Sequence, residues 1–273
     1  MSSVLRRVLR PALRRPPRRA FNVLQASTSA SAAVDASPLS LLEHSITERR
    51  PTQALTYLTQ LETPPSTQLL QKLALLLARQ KTNRSYALRA FEILRGVYRL
   101  PGLTPDDYTK LASIYVMDAC LRFRMLDQAM ELYDEAVNQA VVLDLPAYDA
   151  LLKALLRAKR LEEATEILRE ISAGEDVIPT ENTFLPVLME LVIAREYMHA
   201  TELMKQGISR GVEFTSETFH PLLTLAERDS ESTDSLIGFL SFIEESWEEY
   251  RTFDDFGGDD VDEDDPENPL RSP

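Results

Sequence analysis

Apolar residues recur at helical spacing along this chain, and one short phrase, Ala-x-[Thr/Glu]-apolar-apolar, returns five times. Its alanines are Ala54, Ala90, Ala129, Ala164 and Ala200, so the steps are 36, 39, 35 and 36 residues. A recurrence near 35 residues with helical spacing inside it is typical of stacked helical hairpins. The pattern therefore predicts an all-α array that buries its core between repeats, with each alanine phrase in the second helix of a hairpin.

The segment from Tyr148 to Ile171 shows this pattern most clearly. The apolar face of its first helix consists of Leu151, Leu152, Leu155 and Leu156. The basic pair Lys159-Arg160 follows, at a place where cations favour the end of a helix. The second helix then presents Ala164, whose small side chain allows the two helix axes to cross at roughly 8–10 Å.

This register resembles the pentatricopeptide repeat (PPR) family. The unit from Tyr148 to Thr180 opens with an aromatic residue and closes with Ile178-Pro179-Thr180, and its second helix begins Leu-Glu-Glu-Ala at 161–164. The resemblance covers about 38–243 and implies an all-α, right-handed α-solenoid of five to six helix-turn-helix repeats. The alternative is a tetratricopeptide-like or other helical-hairpin solenoid, which repeats at 34 residues and lacks the closing proline-polar loop.

The resemblance also implies a ligand and its contact residues. PPR arrays bind single-stranded RNA along their first helices, about one base per repeat. The residue after the first-helix aromatic and the last residue of the repeat choose the base. Here these residues are Asp149 with Thr180, Leu185 with Thr215, and His220 in the last unit. A basic residue late in the first helix is expected to meet phosphate, and Arg122 and Arg157 hold that place.

Little in the composition favours catalysis. The single cysteine, Cys120, excludes a cysteine-rich zinc site, and the three histidines are widely separated. There is no glycine-rich phosphate loop, and no apolar run reaches the roughly 20 residues that span a bilayer. We therefore predict a non-catalytic protein with no cofactor, no metal site, no small-molecule substrate and no membrane insertion.

The two ends of the chain differ in charge from its body. Residues 1–21 carry seven arginines and no acid, and a Ser-rich stretch follows. This composition is typical of a mitochondrial transit peptide, with a plastid peptide or a basic nucleic-acid-binding arm as alternatives. The expected domains are a transit or disordered segment at 1–35, a repeat array at 36–250 and an acidic disordered tail at 251–273.

These expectations lead to two hypotheses. The first is an RNA-associated protein of the mitochondrial matrix that acts in RNA processing, stability or translation, including at the mitochondrial ribosome. The second is a protein–protein adaptor of a mitochondrial complex, in which the same groove holds a peptide or helix. The net charge of −13 and the irregular base-choosing residues favour the second, whereas the repeat register favours the first.

Overall fold

The computed structural model describes residues 37–229 and 231–256, and every regular element in these residues is an α-helix. The helices pair into six successive hairpins. The first helices are α1 (Pro38–Thr47), α3 (Thr67–Ala78), α5 (Asp107–Arg122), α7 (Leu145–Arg157), α9 (Glu181–Ile193) and α11 (Ser216–Ala226). The second helices are α2 (Pro51–Thr59), α4 (Arg84–Tyr98), α6 (Leu126–Asn138), α8 (Leu161–Ala173), α10 (Tyr197–Ser209) and α12 (Asp234–Phe256).

All five alanines of the repeated phrase are completely buried, each in a second helix: Ala54, Ala90, Ala129, Ala164 and Ala200. In α12 the same register places Leu236, which is 5% exposed, followed by the buried Phe239. The prediction of five to six hairpins in an all-α array is confirmed. The sixth hairpin lacks the alanine phrase, which is why the phrase alone does not reveal it.

Successive hairpins stack, so that each first helix contacts the next first helix along the array. Polar side chains also join residues about one repeat apart. Arg95 Nη1 on α4 lies 3.1 Å from Glu131 Oε1 on α6, and Arg99 Nε lies 3.3 Å from Glu135 Oε1. These partly exposed pairs contribute little stability individually. They do show that the 35-residue period of the sequence is the stacking period of the structure.

Four of the turns between a first and a second helix have the same unusual backbone. Arg49, Arg124, Lys159 and Arg195 all adopt positive φ, between 56° and 64°. At Lys159 the amide donates to the carbonyl of Leu156, and the next amide, of Arg160, donates to Leu155, both at 3.0 Å. This is the Schellman arrangement, which satisfies the last carbonyls of a helix and normally uses glycine. The basic turn at Lys159-Arg160 that the sequence indicates is thus a Schellman C-terminus of the first helix α7.

Two second helices end in the same way with different residues. Ala140, after α6, has φ of 53°, and Gly211, after α10, has φ of 81°. The amides of Val141 and Val212 then donate to carbonyls five residues back, at 2.8 and 3.0 Å. Alanine pays a steric cost in this left-handed conformation that glycine does not.

This pair gives a reciprocal stability prediction. Ala140→Gly is expected to raise the free energy of unfolding by about 0.5–1 kcal/mol, because it removes the steric cost of positive φ. Gly211→Ala is expected to lower the free energy of unfolding by a similar amount. No atom lies within 4 Å of the added Cβ, so the whole loss comes from placing alanine at positive φ. Thermal or urea unfolding measures both. Shifts of the same sign in the two variants would contradict this assignment.

The ends of the chain lie partly outside the described residues. The predicted transit segment at 1–35 and residues 257–273 of the predicted acidic tail are not described, so those predictions stay untested. Helix α12 continues to Phe256, six residues past the predicted end of the array at 250. In the described part of the chain, no helix combines the length and apolarity needed to cross a membrane.

Candidate nucleic-acid interface

The residues that end each predicted repeat all serve as helix N-caps. Thr180 precedes α9 and Thr215 precedes α11. Thr215 is held firmly: its amide and its hydroxyl both donate to Glu181 Oε1, at 2.8 and 2.9 Å. The amide of Thr180 donates to Thr183 Oγ1 at 3.3 Å. Both predicted base-choosing threonines therefore have a structural task in fixing the start of a first helix.

Asp149 and His220 lie at equivalent positions, five residues after the N-caps of α7 and α11. One carboxylate oxygen of Asp149, Oδ1, is buried and has no hydrogen-bond partner among the described residues. A buried acceptor in this state gains from any ligand that brings an N–H donor to it. His220 is exposed and its ring centre lies 6.5 Å from that of Trp247, edge to face.

The two predicted phosphate-binding arginines differ in their surroundings. Arg122 is the last residue of α5, forms an ion pair with Asp118 and lies over the ring of Phe123, 5.9 Å from its centre. Arg157 is the last residue of α7 and is exposed. The six predicted contact residues thus extend over four successive first helices, as a groove would require, and do not meet at one point.

Two further N-caps belong to this series and escaped the sequence reasoning. Asp106 caps α5 and Asp144 caps α7, and each accepts a hydrogen bond from the backbone amide three residues later. Burial opposes ionisation of Asp106, but hydrogen bonds from Thr109 outweigh it and lower the pKa of its carboxyl group. Both residues could have been found by counting back 36 and then 38 residues from Thr180 to an acidic N-cap.

A basic cavity of about 380 Å³ opens between α1 and α3, on the surface that the first helices form. We call this surface the first-helix face. The cavity is lined by Ile46, Thr47, Arg49, Lys72, Leu75, Leu76, Arg79 and Gln80. Three of these side chains are cationic and none is acidic, so the cavity favours an anion.

Two of its cations also rest on aromatic rings of the next first helix. Lys72 Nζ lies 5.4 Å from the ring centre of Tyr108, and Arg79 Cζ lies 5.0 Å from that of Tyr115. Each pair of residues is seven apart, hence on one face of its helix. Cation–π contacts at this distance hold the cations over the face of α5. We call these four side chains the Lys/Tyr row. Alternating cations and aromatic rings suit the phosphates and bases of a single strand.

An apolar cavity of about 190 Å³ continues the first-helix face between α5 and α7. Tyr115 belongs both to this cavity and to the Lys/Tyr row. Its other walls include Ile114, Leu121 and Pro146, and two carboxylates, Asp118 and Asp144, lie at its border. The two cavities are therefore neighbours on one surface, the first suited to an anion and the second to an apolar or aromatic group.

Charge is strongly polarised along the array. Residues 37–105, the first two hairpins, contain nine Lys and Arg against four Asp and Glu. Residues 106–229 contain twelve Lys and Arg against twenty-three Asp and Glu. The net charge of −13 conceals this division. Electrostatic attraction for phosphate is therefore concentrated in the first two hairpins, away from most of the residues that the PPR register selects.

The described residues offer little that resembles a reaction centre. Burial raises the pKa of the Cys120 thiol to about 12, so this side chain is a protonated core residue at neutral pH. Among the described residues, no group of three or more His, Cys, Asp or Glu side chains is arranged to hold a metal ion.

Comparison with known proteins gives structural likeness only. No family model and no curated protein matches the chain. Among solved structures, the PPR domain of Arabidopsis thaliana protein-only RNase P 1 in complex with tRNA is similar at 16% identity and a TM-score of 0.44, over 66% of this chain and 90% of that one. Nuclear proteinaceous RNase P 2 from A. thaliana gives 18% identity and a TM-score of 0.47, over 77% and 41%.

The maize pentatricopeptide repeat protein PPR10 is similar at 19% identity and a TM-score of 0.38, over 76% of this chain and 29% of that one. This chain thus spans less than half the length of the second and third structures. Likeness at these values carries no conclusion about activity. The assignment depends on the chain's own register, with its buried alanines, capped first helices and stacking period near 35 residues. In its described residues, the chain is a PPR-like α-helical repeat protein.

Proposed function

We propose that this protein is a non-catalytic, RNA-associated factor that holds single-stranded RNA along its first-helix face. The observation that carries the proposal is the acid-free basic cavity between α1 and α3, with Lys72 and Arg79 positioned over Tyr108 and Tyr115. The cations would neutralise phosphates, and the exposed parts of the rings would stack with bases. The RNA would then pass the apolar cavity and approach the unsatisfied carboxylate oxygen of Asp149.

The polarised charge refines this mechanism. Phosphate contacts provide affinity, whereas contacts to base edges provide discrimination. The first two hairpins would therefore anchor the strand through its backbone. The later hairpins, which carry Asp149, Thr180, Thr215 and His220, would contact bases with little help from cations, apart from Arg122 and Arg157. Affinity in this arrangement is moderate and depends on salt.

Binding of RNA by the full-length chain tests the proposal. Fluorescence anisotropy with a labelled single-stranded RNA should show that log K falls with log salt concentration, by about 0.7 for each phosphate contact. A duplex RNA of the same length is the control and should bind more weakly, because its bases are not available for stacking. Absence of binding, or binding that is insensitive to salt, would contradict the proposal.

A protein–protein adaptor is the second candidate function, and the apolar cavity between α5 and α7 favours it. A cavity of about 190 Å³ with Ile114, Leu121 and Pro146 in its walls would accept an apolar side chain of a peptide or helix. Substituting Ala150, which lines the cavity, by Trp would fill it. If the Ala150→Trp variant no longer binds a protein partner but still binds RNA as the unsubstituted chain does, the adaptor function is favoured.

We further propose that the protein acts in an organelle, the mitochondrion before the plastid, in RNA processing, stability or translation. The composition of residues 1–35 supports import. A fusion of residues 1–35 to a fluorescent reporter should place the reporter in mitochondria. Substituting its seven arginines by glutamine should leave the reporter in the cytosol. A cytosolic signal from the unsubstituted fusion would overturn this localisation.

A further inference from the structure

The row of second helices has two gaps. Neighbouring helices α4 and α6 approach with Cα atoms within 8 Å, as do α8 with α10 and α10 with α12, whereas α2 with α4 and α6 with α8 do not. A cavity of about 390 Å³ opens between the later halves of α6 and α8, and we call it the α6–α8 cavity. It is lined by the second helices and their loops together with Tyr148 of α7, and it shares no lining residue with the basic or apolar cavity of the first-helix face.

The walls of the α6–α8 cavity are mainly apolar and already fixed in place. The rings of Tyr133 and Tyr148 are 5% and 8% exposed and meet edge to face, 6.3 Å between centres. Tyr133 Oη donates to Glu170 Oε2 at 2.5 Å, and this bond spans the gap from α6 to α8. Val137, at 47% exposed, stands at the mouth of the cavity. A ligand would therefore meet a preformed apolar surface with little ordering cost.

The electrostatics of the α6–α8 cavity favour a cation. Its charged lining residues are Glu170 and Asp176, and no Lys, Arg or His lines it. Burial raises the pKa of Tyr133, and its hydrogen bond to Glu170 raises it further. Burial also raises the pKa of nearby Asp134, with added repulsion from Glu170 and other carboxylates on α6 and α8. Burial is the main cause of both shifts, and the neighbouring carboxylates add to them in the same direction because their potential is negative.

We propose that the α6–α8 cavity binds an arginine side chain with apolar neighbours, presented by a basic segment of a partner protein. The aliphatic stem would lie against the valines and tyrosine rings, and the guanidinium group would pair with Glu170 and Asp176. Arginine suits this cavity because its planar head both pairs with carboxylates and packs on aromatic faces. RNA does not suit it, because the two carboxylates would repel phosphate. The site would thus attach a protein to one side of the array while the first-helix face holds RNA.

The probe for this proposal is the peptide acetyl-Val-Arg-Val-amide, titrated into the full-length chain and followed by NMR of tyrosine rings and valine methyl groups. Saturable shifts are expected at Tyr133, Tyr148 and Val137. The same peptide with citrulline in place of arginine keeps the shape and removes the charge. It should bind at least about tenfold more weakly, since charged hydrogen bonds are about twice as strong as neutral ones. Equal binding of the two peptides, or no saturable shift at these residues, would overturn the proposal.

A pair of charge-matched variants locates the site. Glu170→Gln with Asp176→Asn should weaken the arginine peptide at least about tenfold, while the glutamine carbonyl can still accept from Tyr133. Glu162→Gln with Glu213→Gln removes two exposed carboxylates that do not line the cavity and should change binding by less than about twofold. If the first variant melts early, Asp176→Asn alone, in an exposed loop, should still weaken binding about threefold. Similar losses in both double variants would show only a general charge effect and would overturn the site.

RNA binding by the Glu170→Gln and Asp176→Asn variant is expected to remain within about twofold of the unsubstituted chain, because the carboxylates lie on α8 and in the loop that follows it, and neither lines a cavity of the first-helix face. This result separates the two proposals. Loss of peptide binding with intact RNA binding would leave both standing. RNA displacing the arginine peptide competitively would contradict a separate protein site.

Discussion

The double substitution Lys72→Glu and Arg79→Glu is expected to weaken binding of single-stranded RNA by about ten- to a hundredfold at low salt. Both cations line the acid-free cavity between α1 and α3, and each is held over a tyrosine ring of α5. Reversing them replaces attraction for phosphate by repulsion at the most basic part of the array. The slope of log K against log salt should also fall by about 1.4, which corresponds to two lost phosphate contacts.

The matched control reverses Arg84 and Arg89, two exposed cations at the start of α4, a second helix. It changes the net charge by the same amount and should weaken binding by less than about threefold, because exposed charges beyond a Debye length of about 8–10 Å are screened. Circular dichroism should show unchanged helicity in both variants. Equal loss in the two variants would mean that overall charge, rather than the Lys/Tyr row, attracts RNA.

The double substitution Arg122→Glu and Arg157→Glu reverses the charge of the two arginines that the PPR register selects. We expect it to weaken RNA binding and to leave helicity unchanged. Arg122 already pairs with Asp118, so part of its charge is neutralised in the protein. We therefore expect a smaller loss than for Lys72 and Arg79. A larger loss would show that the main phosphate contacts lie on α5 and α7, at the positions that the PPR register selects, rather than in the basic cavity.

Gly207→Ala is expected to lower the free energy of unfolding by about 1–3 kcal/mol, despite the preference of helices for alanine. An added Cβ would lie 2.9 Å from Phe214 Cζ and 3.1 Å from Phe184 Cζ. Both rings are essentially inaccessible to solvent and meet edge to face with centres 5.5 Å apart, so neither can move cheaply. Gly238→Ala is the control: nothing lies within 4 Å of its Cβ, and it should gain about 0.5–1 kcal/mol.

Removing the Phe214 ring tests whether its clash with the added Cβ causes the loss of stability in Gly207→Ala. Phe214→Ala alone is expected to lower the free energy of unfolding by about 3–5 kcal/mol, because it leaves a cavity in the core. The ring that it removes also packs against Phe219, with 6.4 Å between the ring centres. Gly207→Ala added to it should cost much less than in the native chain, giving a coupling energy of about 1 kcal/mol or more by urea unfolding. Additive costs would mean that the clash is relieved by some other movement.

The register of the predicted site was readable from the sequence, whereas its surroundings were not. Asp149, Thr180, Thr215 and His220 can be counted out because each stands at a fixed distance from a first-helix aromatic or a closing loop. Only contacts reveal that Thr215 is bound by Glu181 and that one oxygen of Asp149 is left without a donor. Counting positions along the chain does not show that a residue such as Thr215 contacts another one 34 residues away.

Local sequence by itself determined the all-α class, the hairpin period and the alanine positions. Those follow from helical spacing and from the small volume needed where helices cross closely, which are short-range requirements. Tertiary structure alone decided which surfaces are cavities and what charge they carry. Lys72 meets Tyr108, and Tyr133 meets Glu170, only after hairpins stack, and α6 and α8 separate through the packing of whole hairpins. The scaffold is a periodic property of the chain, whereas its binding surfaces arise from contacts between repeats.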